Sequence, residues 1–522
     1  MISFDDFNYS VSQGFFKKLD NLDGENTAYS SKFIQSLINL EKYQEAYSYS
    51  KKIEKNGKPN FESNLFMGLY ELKKNNYIKS KEYFDNLKPN YENQFIFDFL
   101  KTSLNSWIIL AIDKNNYNPK KIDDIHPSFN NIKLINKMLV GCYIDSNETE
   151  KRFIDLTKER QSNFSRYNFF YANYLYNNNK KENAVEIINS ASKKYPRNLL
   201  INQFKQVLQN KERNYNIFNC KKISDSIAEI FYVLANALAS QKDYKLSNFY
   251  INLAKFLNPD FSSFNSLLAE NFFALKKNAD AEQVYENLSK VGTIYKWYSK
   301  KQIVAIMEKQ NNENSIKFLT KAYKEINPNE YDTFDFANFL RNKEQYKESI
   351  KLYSQILSVI NKGHKLYPAI LERRGMAYER NDQWKLAEKD LIDSLKILPN
   401  EPYVMNYLAY TWVEKNQNIE KALTMLRQAN QLKKNDGYIT DSLGWALFKL
   451  KEFKEAKKYL ERAIVLMPMD PIVNDHFADC LWMNNLKIQA RYYWKNVLQL
   501  DDVDEELKQK IEKKILFGLK TS

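Results

Sequence analysis

Small and apolar residues recur along this chain at spacings typical of α-helices that pack in antiparallel pairs. The pattern is clearest in residues 437–470, a 34-residue window with small residues at positions 8, 20 and 27. The window contains Gly444, Leu447, Phe453, Ala456, Leu460, Ala463 and Pro468. Because two helices approach closely only where side chains are small, we expect Gly444 to face Ala456 across one pair. Pro468 is expected to end the second helix, since proline cannot continue the helical hydrogen bonding.

The same register recurs in eight windows between residues 228 and 504. They begin at residues 228, 262, 296, 330, 368, 402, 437 and 471, with one inserted residue before Ala422. Position 8 is small in seven of the eight windows, and position 20 is small in all eight. One helical pair cannot bury its apolar face alone, so the windows predict a stack in which each pair packs on its neighbours.

This spacing resembles the tetratricopeptide repeat (TPR), a helix-turn-helix unit. The resemblance implies an all-α fold in which TPR-type repeats stack into a right-handed α-solenoid superhelix. Residues 368–504 also resemble a group of TPR proteins from alphaproteobacteria. The TPR resemblance implies a protein that acts by binding, and the resemblance to this group, whose members are non-enzymatic and mostly lack an assigned partner, implies that it is not an enzyme.

The rest of the chain predicts less regular helices around this array. The predicted organisation is one helix in residues 1–26, divergent TPR-like repeats in 27–164, one repeat with an irregular helical insertion in 165–227, eight repeats in 228–504 and a capping helix in 505–522. In the first helix, one face is expected to carry Phe4, Phe7, Val11, Phe15 and Leu19. This helix is similar to half of a truncated repeat, which suggests that the true start lies upstream.

The capping helix is predicted from its N-cap and its apolar stripe. Asp504 is expected to cap the helix, and the buried stripe is expected to contain Leu507, Ile511, Ile515 and Leu516. Its lysines are expected to face solvent and to close the end of the stack.

Net charge leaves an alternative function open. The chain carries a formal net charge of +14 and has a pI near 9.1, which would suit nucleic acid or an anionic membrane as partner. The lysines are scattered among acids rather than gathered into a run. The abundance of Lys, Asn, Ile, Tyr and Phe is also typical of an AT-rich genome, so the charge has a compositional explanation too.

Motifs for catalysis, cofactors and targeting are missing from the sequence. It contains no GxxxxGK[ST], GxGxxG, GxSxG or HExxH, so no enzyme activity and no cofactor are predicted. Cys142, Cys220 and Cys480 are isolated, which supports neither a disulfide framework nor a zinc site. Without a signal peptide or an apolar run of about 18 residues, a cytoplasmic protein without a transmembrane segment is predicted. A periplasmic or membrane-associated location is the alternative if the true start lies upstream.

The resemblance also nominates binding residues. In TPR arrays the first helix of each repeat, helix A, faces the concave groove, and in the last three repeats its groove positions form an aromatic surface punctuated by carboxylates. The predicted peptide-binding residues are Tyr407, Tyr410, Asp441, Trp445, Asp475, His476, Asp479 and Trp482. The aspartates would hold a lysine, an arginine or an N-terminal amine of the partner. The alternative is that Trp482 and Phe448 pack against neighbouring helices or the capping helix. Trp384 and Trp412 are expected in the core.

The leading hypothesis is therefore a scaffold or adaptor that binds a protein or peptide segment in this groove. Two other hypotheses remain: nucleic-acid binding and docking on anionic membranes by a basic helical-repeat surface. The identity of the partner and the oligomeric state have no signature in the sequence.

Overall fold

The computed structural model describes residues 8–18, 27–88, 94–113, 122–159, 163–210, 217–500 and 503–519. The chain divides into two compact units, unit 1 (Met1–Asn327) and unit 2 (Pro328–Ser522). Every regular element in the described ranges is helical, which confirms the all-α fold. Among those same residues, no helix combines the length and the apolarity that a membrane crossing requires.

The helices follow one another closely in both units. Unit 1 contains α1 (Tyr9–Lys18), α2 (Thr27–Asn39), α3 (Tyr43–Lys55), α4 (Phe61–Lys73), α5 (Tyr77–Asp85), α6 (Gln94–Ile112), α7 (Asn130–Tyr143), α8 (Thr149–Lys158), α9 (Tyr167–Asn177), α10 (Lys181–Lys194), α11 (Leu199–Gln209), α12 (Ile223–Ser240), α13 (Tyr244–Leu257), α14 (Ser263–Ala274), α15 (Asn278–Leu288), α16 (Thr293–Lys309) and α17 (Ser315–Lys324). Unit 2 contains α18 (Glu330–Asn342), α19 (Tyr346–Val359), α20 (Tyr367–Arg380), α21 (Trp384–Ile397), α22 (Pro402–Glu414), α23 (Ile419–Leu432), α24 (Gly437–Lys449), α25 (Phe453–Leu466), α26 (Pro471–Met483), α27 (Lys487–Val497) and α28 (Glu505–Phe517).

Helix pairing follows the register of small residues. The residues at positions 8 and 20 are buried in all eight windows. At Gly444 an added Cβ would lie 2.6 Å from Leu460 Cγ, so the close approach is to Leu460, one turn beyond the predicted Ala456. The glycine is needed because the branched side chain of Leu460 fills the space between α24 and α25.

A left-handed residue recurs in the turn between the two helices of a pair. In unit 2 it stands at position 15 of the window, with φ between 52° and 63°, at Glu344, Asp382, Asn416, Lys451 and Asn485. A residue with a Cβ loses about 1–2 kcal/mol in this conformation. Tight interhelical turns thus impose strain that no glycine relieves at these positions.

The first helix presents a different face from the predicted one. Val11 and Phe15 are exposed, whereas Tyr9 and Phe16 are buried. Tyr29 donates its hydroxyl proton to the Phe16 carbonyl and packs edge-on against the Phe16 ring at 5.2 Å. Phe4, Phe7 and Leu19 lie outside the described residues.

Unit 1 also contains contacts that a nearest-neighbour stack does not predict. Tyr43, at the start of α3, donates to the Asn252 carbonyl of α13 at 3.0 Å. Lys73 of α4 donates to the Phe256 carbonyl, and its ammonium lies 4.5 Å from that ring. The N-terminal helices therefore pack on α13, about two hundred residues further along the chain.

A disulfide joins Cys142 to Cys220, so the prediction of isolated thiols was wrong for this pair. The bond links the end of α7 to the segment before α12, with the two Cα atoms 5.9 Å apart and the two cysteines 78 positions apart in sequence. A separation of that length leaves no local spacing signal. Cys480 is a buried free thiol, as expected for a small apolar residue.

Candidate functional site

The predicted binding residues lie on α22, α24 and α26, the A helices of the last three repeats. These helices pack side by side in unit 2, and we call the surface they share the A-helix face. The four aromatic members, Tyr407, Tyr410, Trp445 and Trp482, are half-buried. Asp441, Asp475, His476 and Asp479 are only 4–9% exposed. The charged and imidazole groups are therefore more buried than the aromatic rings.

Trp445 is held in one orientation by three neighbours. Its ring is parallel to the His476 ring at 3.9 Å and to the Phe448 ring at 4.8 Å. Its indole Nε1 donates to Glu414 Oε1 at 2.6 Å. Lys449 completes the group, with its ammonium 5.1 Å from the Trp445 ring and 3.8 Å from the Glu414 carboxylate. An aromatic ring that is both fixed and half-exposed can bind a partner at small entropic cost.

His476 and Asp441 form a buried hydrogen-bonded pair. The distance between His476 Nδ1 and Asp441 Oδ2 is 2.8 Å. Burial alone would lower the pKa of His476, but Asp441, followed by Asp475 and Asp479, outweighs burial and raises that pKa above its ordinary value. The other carboxylate oxygen, Asp441 Oδ1, is buried and accepts no hydrogen bond from the described residues. One acceptor of this pair therefore lacks a hydrogen-bond partner in the described part of the chain.

The Asp475–Asp479 pair is occupied by a cation from the chain itself. Lys514 of α28 donates to both oxygens of Asp475, at 2.7 and 2.8 Å, and to Asp479 Oδ2 at 2.8 Å. Asp479 Oδ1 accepts from Trp494 Nε1 at 3.0 Å. Burial, with a contribution from the charge of Asp475, raises the pKa of Asp479 to about 6. The expectation that the α28 lysines all face solvent is therefore wrong for Lys514.

Trp482 packs against the end of the chain. A Cβ added at Gly518, just after α28, would lie 2.0 Å from Trp482 Cζ2. Its ring also lies 5.4 Å from that of Trp494, with the Arg491 guanidinium 4.9 Å away. These contacts agree with the alternative that Trp482 packs against the capping helix.

The two tyrosines extend the face toward α20. Tyr407 donates its hydroxyl proton to Glu379 Oε2 at 2.8 Å. Burial, with the nearby charges of Glu414 and Asp441, raises the pKa of Tyr410. Tyr410 is thus a neutral neighbour of the Trp445 cluster, which consists of Trp445, His476, Asp441 and Glu414.

Exposed apolar side chains border this cluster at position 2 of the same three helices. Tyr403, Tyr438 and Ile472 are 48%, 61% and 46% exposed. Tyr403 is oriented by a hydrogen bond to Asp436 Oδ2 at 3.1 Å. The A-helix face therefore combines an ordered aromatic cluster with accessible apolar surface.

Two participants in this site, Glu414 and Lys514, are not among the residues predicted from the sequence. Glu414 stands at position 13 of its window, a groove position, and could have been found from the register alone. Lys514 has no such signal, because its role depends on how α28 docks. Of the predicted core tryptophans, Trp412 is buried, whereas Trp384 is half-buried and donates to Gln417 Oε1 at 2.9 Å.

Comparison with known proteins gives a partial match. No protein-family model matches the chain. The TPR repeat-containing protein PA4667 of Pseudomonas aeruginosa is 27% identical over 135 residues, 25% of this chain and 22% of that protein. The chain thus matches about a fifth of the length of this curated relative.

Solved structures of helical-repeat proteins are similar over about a third of the chain. The thermophilic TPR protein TTC0263 of Thermus thermophilus is 15% identical, with 36% of this chain and 100% of that chain covered and a TM-score of 0.32. The pilF protein of Pseudomonas aeruginosa is 17% identical, with 36% and 85% covered and a TM-score of 0.31. The grouping with alphaproteobacterial proteins stays a prediction. The repeat register, the paired helices and the curated relative together make this chain similar to tetratricopeptide repeat proteins.

Proposed function

We propose that the chain is a non-enzymatic scaffold or adaptor that binds a protein segment on the A-helix face of unit 2. The observation that carries the proposal is the Trp445 cluster, in which a half-exposed indole is fixed by a stacked imidazole and a carboxylate. Aromatic anchors that are ordered before binding supply much of the energy of protein interfaces. The segment contacts Trp445 and Tyr410 and spreads over the exposed side chains at position 2.

The chemistry of the face sets the polarity of the segment. Asp441 Oδ1, on the same helix as Trp445, is a buried acceptor without a hydrogen-bond partner among the described residues, so a segment that opens this position and brings a donor, such as an amide or a cationic side chain, satisfies it. Tyr438 supplies apolar area next to this position on the same helix. A segment with apolar residues and hydrogen-bond donors fits both features.

The test is site-specific photocrosslinking in native cells. A benzoylphenylalanine at Tyr438 is expected to crosslink to a discrete protein, whereas the same residue at Tyr492, which is similarly exposed on α27, is not. Trp445→Ala is expected to abolish the Tyr438 crosslink while helical content stays at the wild-type value. Equal crosslinking from both positions, or a Tyr438 crosslink that survives Trp445→Ala, would refute the proposal.

Nucleic-acid or anionic-membrane binding remains the alternative, motivated by the net charge of +14. It predicts affinity for RNA or anionic vesicles that falls steeply with salt. Binding to a segment on the A-helix face depends mainly on apolar contact and is expected to change far less between low and physiological salt.

The cytoplasmic location is also open to test. Disulfides persist mainly in oxidising compartments, so the Cys142–Cys220 bond favours the alternative location outside the cytoplasm. Alkylation of thiols in intact cells, followed by mass spectrometry, is expected to find this pair protected. Free thiols at both positions would favour the cytoplasm.

A further inference from the structure

The contact between Lys514 and the A-helix face has the form of a bound ligand. Three charge-assisted hydrogen bonds of 2.7–2.8 Å hold one ammonium group between Asp475 and Asp479. The three side chains are 19%, 12% and 6% exposed, in the order Lys514, Asp475, Asp479. Such bonds are roughly twice as strong as neutral hydrogen bonds. The Lys514 ammonium is therefore one of the main interactions that hold α28 on the rest of unit 2.

Apolar contacts hold α28 more weakly than they hold its neighbours. Ile511 is the single buried residue of α28, whereas α27, α24 and α26 bury three, four and five apolar residues. Leu507 and Ile515 are half-buried. Leu516, which was predicted to be buried, is 70% exposed, and Phe517 is 77% exposed. An element with so little buried apolar surface opens at a lower free energy than the core of its domain.

The acid pair needs a compensating cation while α28 covers it, and Lys514 is that cation. Two carboxylates whose side chains are only 12% and 6% exposed are costly to bury without a compensating charge. The raised pKa of Asp479 is consistent with this cost. Asp441, one helix away, keeps an unused buried oxygen next to His476. When α28 opens, the A-helix face therefore presents an acidic surface that a cationic group satisfies best.

We propose that Asp475 and Asp479 form a cation-binding subsite that Lys514 occupies as an internal ligand, and that the bound protein segment displaces α28 by placing its own lysine or arginine there. The inference rests on the proposed function, since it names the chemistry of the segment that the A-helix face accepts. A lysine followed by exposed apolar residues, as in α28 itself, is the pattern that fits the subsite.

The experiment uses the full chain and a labelled peptide with the sequence of residues 503–519 as the probe. Lys514→Gln weakens the internal ligand, so the variant is expected to bind the peptide at least tenfold more tightly than the wild type does. Lys510→Gln is the matched control, because Lys510 lies on the same helix and pairs with Glu506 in solvent; it is expected to bind as the wild type does. A peptide with glutamine in place of the lysine equivalent to Lys514 is expected to bind at least tenfold more weakly. Equal affinity of Lys514→Gln and Lys510→Gln for the peptide would overturn the inference.

Hydrogen exchange of the wild-type chain gives a second readout that needs no variant. Amides of α28 are expected to exchange at least tenfold faster than those of α26, and faster still when the peptide is added. Exchange of α28 at the rate of α26, unchanged by the peptide, would overturn the inference even if Lys514→Gln fails to fold. Neither measurement involves the cellular partner. A Tyr438 crosslink without peptide displacement therefore refutes the subsite alone, whereas displacement without a crosslink refutes the proposed function.

Discussion

The close approach of α24 and α25 at Gly444 makes a quantitative prediction about stability. In Gly444→Ala the new Cβ would lie 2.6 Å from Leu460 Cγ and 3.1 Å from the Leu460 backbone nitrogen. Overpacking of this kind costs about 1–3 kcal/mol, and alanine returns about 1 kcal/mol through its higher helix propensity. We therefore expect a net loss of about 0–2 kcal/mol in the free energy of unfolding of unit 2.

Gly375 supplies a graded comparison inside the same unit. It occupies the same window position, but a Cβ there would lie 3.0 Å from Leu391 Cγ and 3.2 Å from the Ala387 carbonyl oxygen. Because both substitutions gain the same helix propensity, the difference between their losses in free energy of unfolding reports the steric contact alone. We expect Gly375→Ala to be the more stable variant.

Urea unfolding followed by tryptophan fluorescence is a suitable assay, because five of the seven tryptophans lie in unit 2. Leu460→Ala alone is expected to cost about 2–5 kcal/mol. The double variant Gly444→Ala/Leu460→Ala should lose less free energy of unfolding than the sum of the two single variants, because the shorter side chain at position 460 makes room for the new Cβ. A Gly444→Ala protein more stable than wild type, or strict additivity in the double variant, would refute the packing argument.

Three further predictions concern other parts of the chain. The pKa of His476 is raised in the folded state. Its pairing with Asp441 therefore stabilises unit 2 fully below the unfolded-state pKa of ~6.5, and this stabilisation is lost as pH rises through the higher folded-state pKa. Trp445 fluorescence should rise over the same pH window. Cys220→Ser removes the disulfide and is expected to destabilise unit 1 by about 2–5 kcal/mol, measured by thermal unfolding. Lys451→Gly relieves a left-handed φ of 63° and is expected to stabilise unit 2 by about 0.5–1 kcal/mol.

Each of these has a control within the chain. Asp441→Asn should lower the midpoint of the fluorescence titration, and an unchanged midpoint would show that another group is titrating. Under denaturing conditions one thiol should react before reduction and three after it; three reactive thiols before reduction would contradict the disulfide. Lys458→Gly, inside α25, should cost about 1 kcal/mol, so a similar loss at Lys451 would contradict the argument from φ.

The repeat register could be deduced from the sequence because it depends on local geometry. Small residues are favoured at positions 8 and 20, where two consecutive helices cross, and the residues at these positions are buried in all eight windows, Ile303 included. The same register placed Asp441, Trp445 and His476 on adjacent A helices, where the structure brings them together. The first helix shows the limit of pattern reasoning. Its apolar residues fit more than one face, and the choice was made by Tyr29 and its neighbours.

The amino-acid sequence by itself determined the order of the helical pairs and the side of each pair that carries the aromatic and acidic residues. Helical periodicity and contact between neighbouring repeats decide these features, and both act over fewer than forty residues. The tertiary structure decided which distant groups meet: Cys142 with Cys220, Tyr43 with Asn252, and Lys514 with the acid pair. Such contacts depend on the accumulated rotation from one helical pair to the next and on the docking of the last helix, which no single window encodes. For that reason the sequence could predict a cation site at Asp475 and Asp479, but only the fold showed that the chain supplies the cation itself.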